Sequence, residues 1–171
     1  NTAIGTLEMN DMVEVVASEI RRFFGIRDFA LLLREADDMF SFHCARPPLS
    51  KTAPAAPAGT FPLPGSLFNR CNDINEPLLV RQGDIAKLSS KDPASDFILG
   101  NGNQAAGLFP LYFGQYCLGA MLLAHSHPDV FTHESVSLLG QIASRVAIAV
   151  RNALDYATVT VQKNYLVQEN L

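Results

Sequence analysis

From Thr132 to Leu171 the chain runs forty residues without a proline. Thr132 can cap a helix, and Glu134 falls in its first turn, where a carboxylate complements the positive end of the helix dipole. As one helix the stretch would span roughly 60 Å, about twice the diameter of a small domain. The whole chain, at 171 residues, has enough material for one well-packed domain. The expected architecture is therefore a single globule from which the second half of a long helix projects. Only Glu134, Arg145, Arg151, Asp155, Lys163 and Glu169 are charged along that helix. Through Ala143–Ala153 it is apolar or small nearly all round, so it needs cover on two sides. A second copy is the expected partner on the outer side, in a helical bundle with the first helix, meeting at Ala143, Ile148, Ala149 and Ala153.

Composition narrows the class. Hydrophobic residues make up 48% and charged residues 18%, against roughly 25% charged in ordinary soluble domains. A disordered charged tail would invert both fractions. Thirteen Lys and Arg against 17 Asp and Glu give a net charge of −4, and the bases are scattered. Neither nucleic acid nor anionic lipid has an electrostatic footprint to meet. Three cysteines, Cys44, Cys71 and Cys117, are too few and too widely spaced for a disulfide framework, which points to a reducing, cytoplasmic setting. No apolar run approaches the roughly 20 residues of a spanning helix. The absence of an initial methionine and the unbroken pattern at Leu171 fit a piece of a longer protein.

The remaining elements follow from periodicity. Met12, Val15, Val16, Glu19, Ile20 and Phe23 form the stripe of a first helix, with Asn10 as its expected cap, Arg21 and Arg22 in its last turn and Gly25 ending it. Phe29–Arg34 is apolar on both faces and belongs in mid-sheet. Met39–Ala45 alternates, with Phe40, Phe42 and Cys44 on one face and Ser41 and His43 on the other. Residues 47–64 hold six of the ten prolines and read as a long surface loop. A short helix is expected from Ser66 to about Cys71, a strand at Pro77–Val80 and another short helix over Lys91–Leu99. Ala106–Tyr112 and Tyr116–His125, joined at Phe113-Gly114-Gln115, form a hairpin. Antiparallel strands with helices at both chain ends give an α+β layer fold.

Phe109–Ala124, Phe131-Thr-His-Glu and Leu138–Ala153 together resemble the second half of a GAF domain, and Met12–Phe24 with Phe29–Leu33 resembles its first half. The resemblance implies an antiparallel sheet of five or six strands, terminal helices packed on one face, and short helices and loops on the other. Residues 1–155 would form the GAF domain and 156–171 the start of a helical linker. Val16–Gly25 and Ile142–Ala153 are similar to the GAF segment of bacterial formate-hydrogenlyase transcriptional activators. In that family such sensor regions precede an ATPase domain and a DNA-binding domain, neither of which this sequence contains.

That resemblance implies a small-ligand pocket between sheet and crossing loops. Arg81, directly after Pro77–Val80, is the expected principal donor to a small anion, because guanidinium offers a bidentate fork to a carboxylate. Arg70 is the fallback, Asp96 lies near the same loops, Phe97 would wall the pocket, and Cys44 completes the candidate ligand-binding set. Some GAF-like proteins reduce free methionine sulfoxide with three cysteines and others hold non-haem iron. Here the thiols lie on a strand, a short helix and another strand without a shared motif. Gly100–Ala105 matches the dinucleotide pattern in letters but precedes a strand rather than opening a helix, and reads as a turn. His125, His127 and His133 sit where a strand leaves the sheet and read as solvated side chains. The expectation is a non-catalytic sensor of formate or another small ligand, with no cofactor and no metal. A cysteine-based sulfoxide reductase and a ligand-free dimerisation module are the alternatives.

Overall fold

The computed structural model describes residues 2–26, 28–45, 59–85, 87, 92–99 and 102–169. In chain order these form α1 (Thr2–Phe24), β1 (Asp28–Arg34), β2 (Met39–Ala45), β3 (Thr60–Pro62), α2 (Leu67–Ile74), β4 (Leu78–Val80), α3 (Gln82–Ile85), α4 (Pro93–Leu99), β5 (Ala105–Phe113), β6 (Tyr116–His125) and α5 (His133–Glu169). The six strands make one antiparallel sheet in the order β3-β2-β1-β6-β5-β4. The α+β fold with terminal helices on one face is as the sequence implies.

Two apolar layers follow from strand alternation. Phe29, Leu31 and Leu33 of β1, with Phe109, Leu111, Met121 and Leu123, meet α1 and α5 on one face. Ala30 and Leu32, with Phe40, Phe42, Leu108 and Leu122, meet Leu67, Phe68 and Cys71 of α2 and Ala94 and Ile98 of α4 on the other. In the centre, β1 and β6 approach so closely at Gly119 that an added Cβ would collide with the Leu32 carbonyl. Only glycine allows those two backbones to pair there.

Three expectations shift. α1 begins at Thr2, so Asn10 lies inside the helix rather than capping it. Burial of Met9 in register with Val13, Ala17 and Ile20 extends the apolar stripe a turn earlier and outweighs a local capping preference. The proline-rich loop ends sooner than expected, because Thr60–Pro62 pairs with Met39–Ser41 as an edge strand. An edge tolerates Pro62 because one side of the strand needs no donor; residues 46–58 lie outside the described set. Finally, Ala143 is 4% exposed and sits within the domain's own core, not on an outer seam.

The hairpin and the long helix form as read. Gly114 takes the left-handed conformation the β5–β6 turn requires, at φ +62°. Thr132 Oγ1 accepts from Ser135 N–H at 3.1 Å while Ser135 Oγ accepts from Thr132 N–H at 2.8 Å, a reciprocal cap at the start of α5.

Candidate functional site

The sheet face opposite α1 and α5 carries the short helices, and one carboxylate fixes two of them. Asp92 accepts from Leu67 N–H at 2.6 Å and from Ala94 N–H at 3.2 Å, which ties the first turn of α2 to that of α4. Burial pushes the Asp92 carboxyl above its usual range, and the two amide donors oppose that rise. Ser66 caps α2, accepting from Asn69 N–H and donating to Leu63 C=O at 2.6 Å. Held in this way, α2 carries Arg70 to the edge of the sheet.

There Arg70, Leu78, Leu79, Val80, Asp84 and Lys87 line a cleft of about 250 Å³. β4 supplies Leu78 and Val80 from its α2 side with Leu79 on the opposite face, α2 one cation, and the turn through α3 the acid and the second cation. The turn is held by Asp84 N–H to Arg81 C=O at 2.8 Å and Lys87 N–H to Asp84 C=O at 3.1 Å. Among the described residues none of the three charged side chains has an ion-pair partner. Arg81 is exposed, directly after β4, and does not line this cleft. Asp96 is exposed in the first turn of α4. Phe97 and Cys44 are half-buried against the same apolar cluster, with the Phe97 ring 5.5 Å from that of Phe42. The structure therefore brings Cys44 and Phe97 to one cluster and places Arg70 in the cleft beside β4.

The thiol chemistry is unfavourable for a nucleophile. Burial, with Cys117 nearby, pushes the Cys71 thiol up to about 12, and burial also raises Cys117. Both donate to backbone carbonyls, Cys71 to Leu108 at 3.5 Å and Cys117 to Gly119 at 3.3 Å. Cys71 and Cys117 are free thiols. Among the described residues no three His, Cys, Asp or Glu side chains are grouped to hold a metal. His125 has a structural task instead: its Nε2 is 2.9 Å from Gly25 C=O while Nδ1 accepts from His127 N–H at 2.8 Å, which makes Nε2 the donor. It pins the end of α1 to the end of β6. Gly102, at φ +65°, turns into β5 rather than a helix, so the dinucleotide lettering has no helix start behind it.

One polar group escaped the sequence reading. On the α1 side of β2, Ser41 Oγ donates to Glu35 Oε1 at 2.8 Å and lies 2.9 Å from His43 Nε2. With its proton committed to Glu35, Ser41 accepts from His43, the reverse of what a serine nucleophile needs. Burial holds His43 below the ordinary histidine range, while the Glu35 charge pulls the other way. The available signal was the alternation of Ser41 and His43 on one face, with an acid at the preceding turn.

On the outer side, Asp11, Met12, Val15, Val16 and Glu19 of α1 and Ile142, Arg145, Val146 and Ala149 of α5 line an open, mainly apolar groove of about 340 Å³. Val15 and Ile148 are more than half exposed. Ala149 faces this groove, whereas Ala153 is half-buried against the domain core.

Residues 8–150 match the family described as GAF domain. Over 172 residues the chain is 33% identical to the DNA-binding transcriptional activator HyfR of Escherichia coli K12, covering 99% of this chain and 25% of that protein. It is 35% identical over 175 residues to the formate hydrogenlyase transcriptional activator FhlA of the same organism, covering 100% of this chain and 25% of that protein. The chain thus spans about a quarter of the length of these relatives. Its fold is similar to the GAF domain of a two-component sensor histidine kinase from Bacillus halodurans, with a TM-score of 0.70 at 14% identity over 86% of this chain and 96% of the other. The free methionine-R-sulfoxide reductase of Thermoplasma acidophilum shares the fold at a TM-score of 0.64 and 12% identity, over 87% of this chain and 95% of that one. At such identities these two likenesses speak to fold alone.

Proposed function

Since the chain belongs to the GAF domain family, we propose that it is the small-ligand-sensing, regulatory domain of a bacterial transcriptional activator of the formate-hydrogenlyase type. The observation that carries this reading is that the likeness to HyfR and FhlA runs through essentially the whole chain, including the part of α5 beyond the core. A small carboxylate, formate among the candidates, binds in the cleft beside β4 with Arg70 as donor, and Arg81 stands outside it. β4 pairs with β5, and α5 packs on β5, so an occupied cleft is one strand away from the output helix. Binding biases an ATPase domain further along the chain only if the ligand prefers one arrangement of α5 over the other.

The domain works without turnover: its buried thiols are protonated, and Ser41 is not poised as a nucleophile. Both features favour a sensor over the sulfoxide-reductase alternative. Among the described residues no helix is long and apolar enough to cross a membrane, which fits a cytoplasmic regulator. The apolar groove between α1 and α5 is where a second copy docks, through Val15, Ile148 and Ala149, and residues from about 156 act as the linker.

Amide chemical shifts during a formate titration test the sensor reading. Shifts in β4 and α5 that disappear in Arg70→Ala and persist in Arg81→Ala support it. Equal shifts in wild type and Arg70→Ala would mean that the anion sits elsewhere.

A further inference from the structure

The cleft beside β4 is built for more than a one-carbon anion. Water takes about 30 Å³ in the liquid, so a cleft of about 250 Å³ holds on the order of eight waters. An anion of three heavy atoms leaves most of that volume wet and touches little of the wall. On the α2 side that wall is apolar along half-buried Leu78 and buried Val80, while Leu79 turns its side chain to the other face of the sheet.

The charges carry the argument further. Arg70 and Lys87 come from different elements, and neither has an ion-pair partner among the described residues. Set against the single acid Asp84 they leave the cleft net positive, and because they stand on separate elements each can take its own anionic group. Asp84 lines the same cleft and is an acceptor only. A bare anion beside it would be repelled, whereas a ligand bearing its own hydroxyl could donate to it.

We propose that the cleft selects a short dicarboxylate carrying a hydroxyl group, one carboxylate on Arg70, the other on Lys87, and the hydroxyl on Asp84, with the carbon spacer against Leu78 on the α2 side of β4. This rests on the reading of the cleft as the sensor's ligand site and names the chemical class that the site prefers. Charge-assisted hydrogen bonds at both ends favour the dianion over any monocarboxylate that uses one end alone.

Titration of the intact chain with malate, succinate and formate, followed by amide shifts and calorimetry, tests it. Malate is expected to bind at least tenfold more tightly than formate, with succinate between them. Arg70→Ala and Lys87→Ala should each bring malate down to the level of formate, and Asp84→Ala should bring malate to that of succinate. All three side chains are exposed, so the variants keep the fold, which the unchanged amide spectrum verifies. Formate binding as tightly as malate overturns the inference and leaves the sensor reading standing. No response to any of the three acids overturns both.

Discussion

The guanidinium of Arg151 lies 4.0 Å from the centre of the Phe113 ring. This joins α5 to the tip of the β5–β6 hairpin one residue after Val150, the last fully buried side chain described in that helix. A half-exposed cation–π contact contributes about 0.5–1 kcal/mol. Phe113→Ala should therefore lower the melting temperature slightly, with faster amide exchange in α5 beyond residue 150. Unchanged exchange there would show that the hairpin tip does not steady the helix.

The two outward and inward positions of α5 separate assembly from folding. Ile148→Glu places a charge on the exposed side of the helix and should give a folded monomer by sedimentation. Ala143→Glu buries a charge in the core and should cost several kcal/mol of stability, because an unpaired interior charge is strongly disfavoured. A dimer that survives Ile148→Glu would move the interface elsewhere.

His43 gives the fold an acid-sensitive component. Its folded pKa lies below the unfolded value of about 6.5. Stability from keeping it neutral is present above that value and lost as pH falls through the folded value. Chemical unfolding at pH 7.5 and 5.5 should show a larger acid loss for wild type than for His43→Gln. Equal losses would mean that other groups set the dependence.

Thiol labelling checks the proposed lack of cysteine chemistry. With Cys71 at about 12, on the order of 10⁻⁵ of it is thiolate at pH 7. Native protein should react with an aromatic disulfide reagent at Cys44 alone within minutes, and all three thiols should react after unfolding. Rapid native labelling of Cys71 or Cys117 would reopen the reductase reading.

What the sequence disclosed was mostly local. Phe29–Arg34 and Met39–Ala45 were legible because alternation and two-sided burial leave period-two patterns, and Thr132 because capping acts within one turn. β3 was hidden because Pro62 reads as a breaker, and only the neighbouring strand reveals that its missing donor faces the open edge. The cleft was half legible: Arg70 was in view, but Lys87 and Asp84 join it only through the turn after β4. Ala143 and Ile148 look alike in a low-charge helix. Which of them faces the sheet depends on the helix's rotation, which composition does not carry.

α5 continues for nineteen residues past Val150, about 28 Å of stiff rod. If it pivots at the edge of the core, a tilt of about 10° carries its far end about 5 Å sideways. Such a pivot would make the helix a lever with its short arm in the core and its long arm outside. A rearrangement too small to disturb the packing of Ala147 and Val150 would then carry the far end sideways by about half the width of a helix.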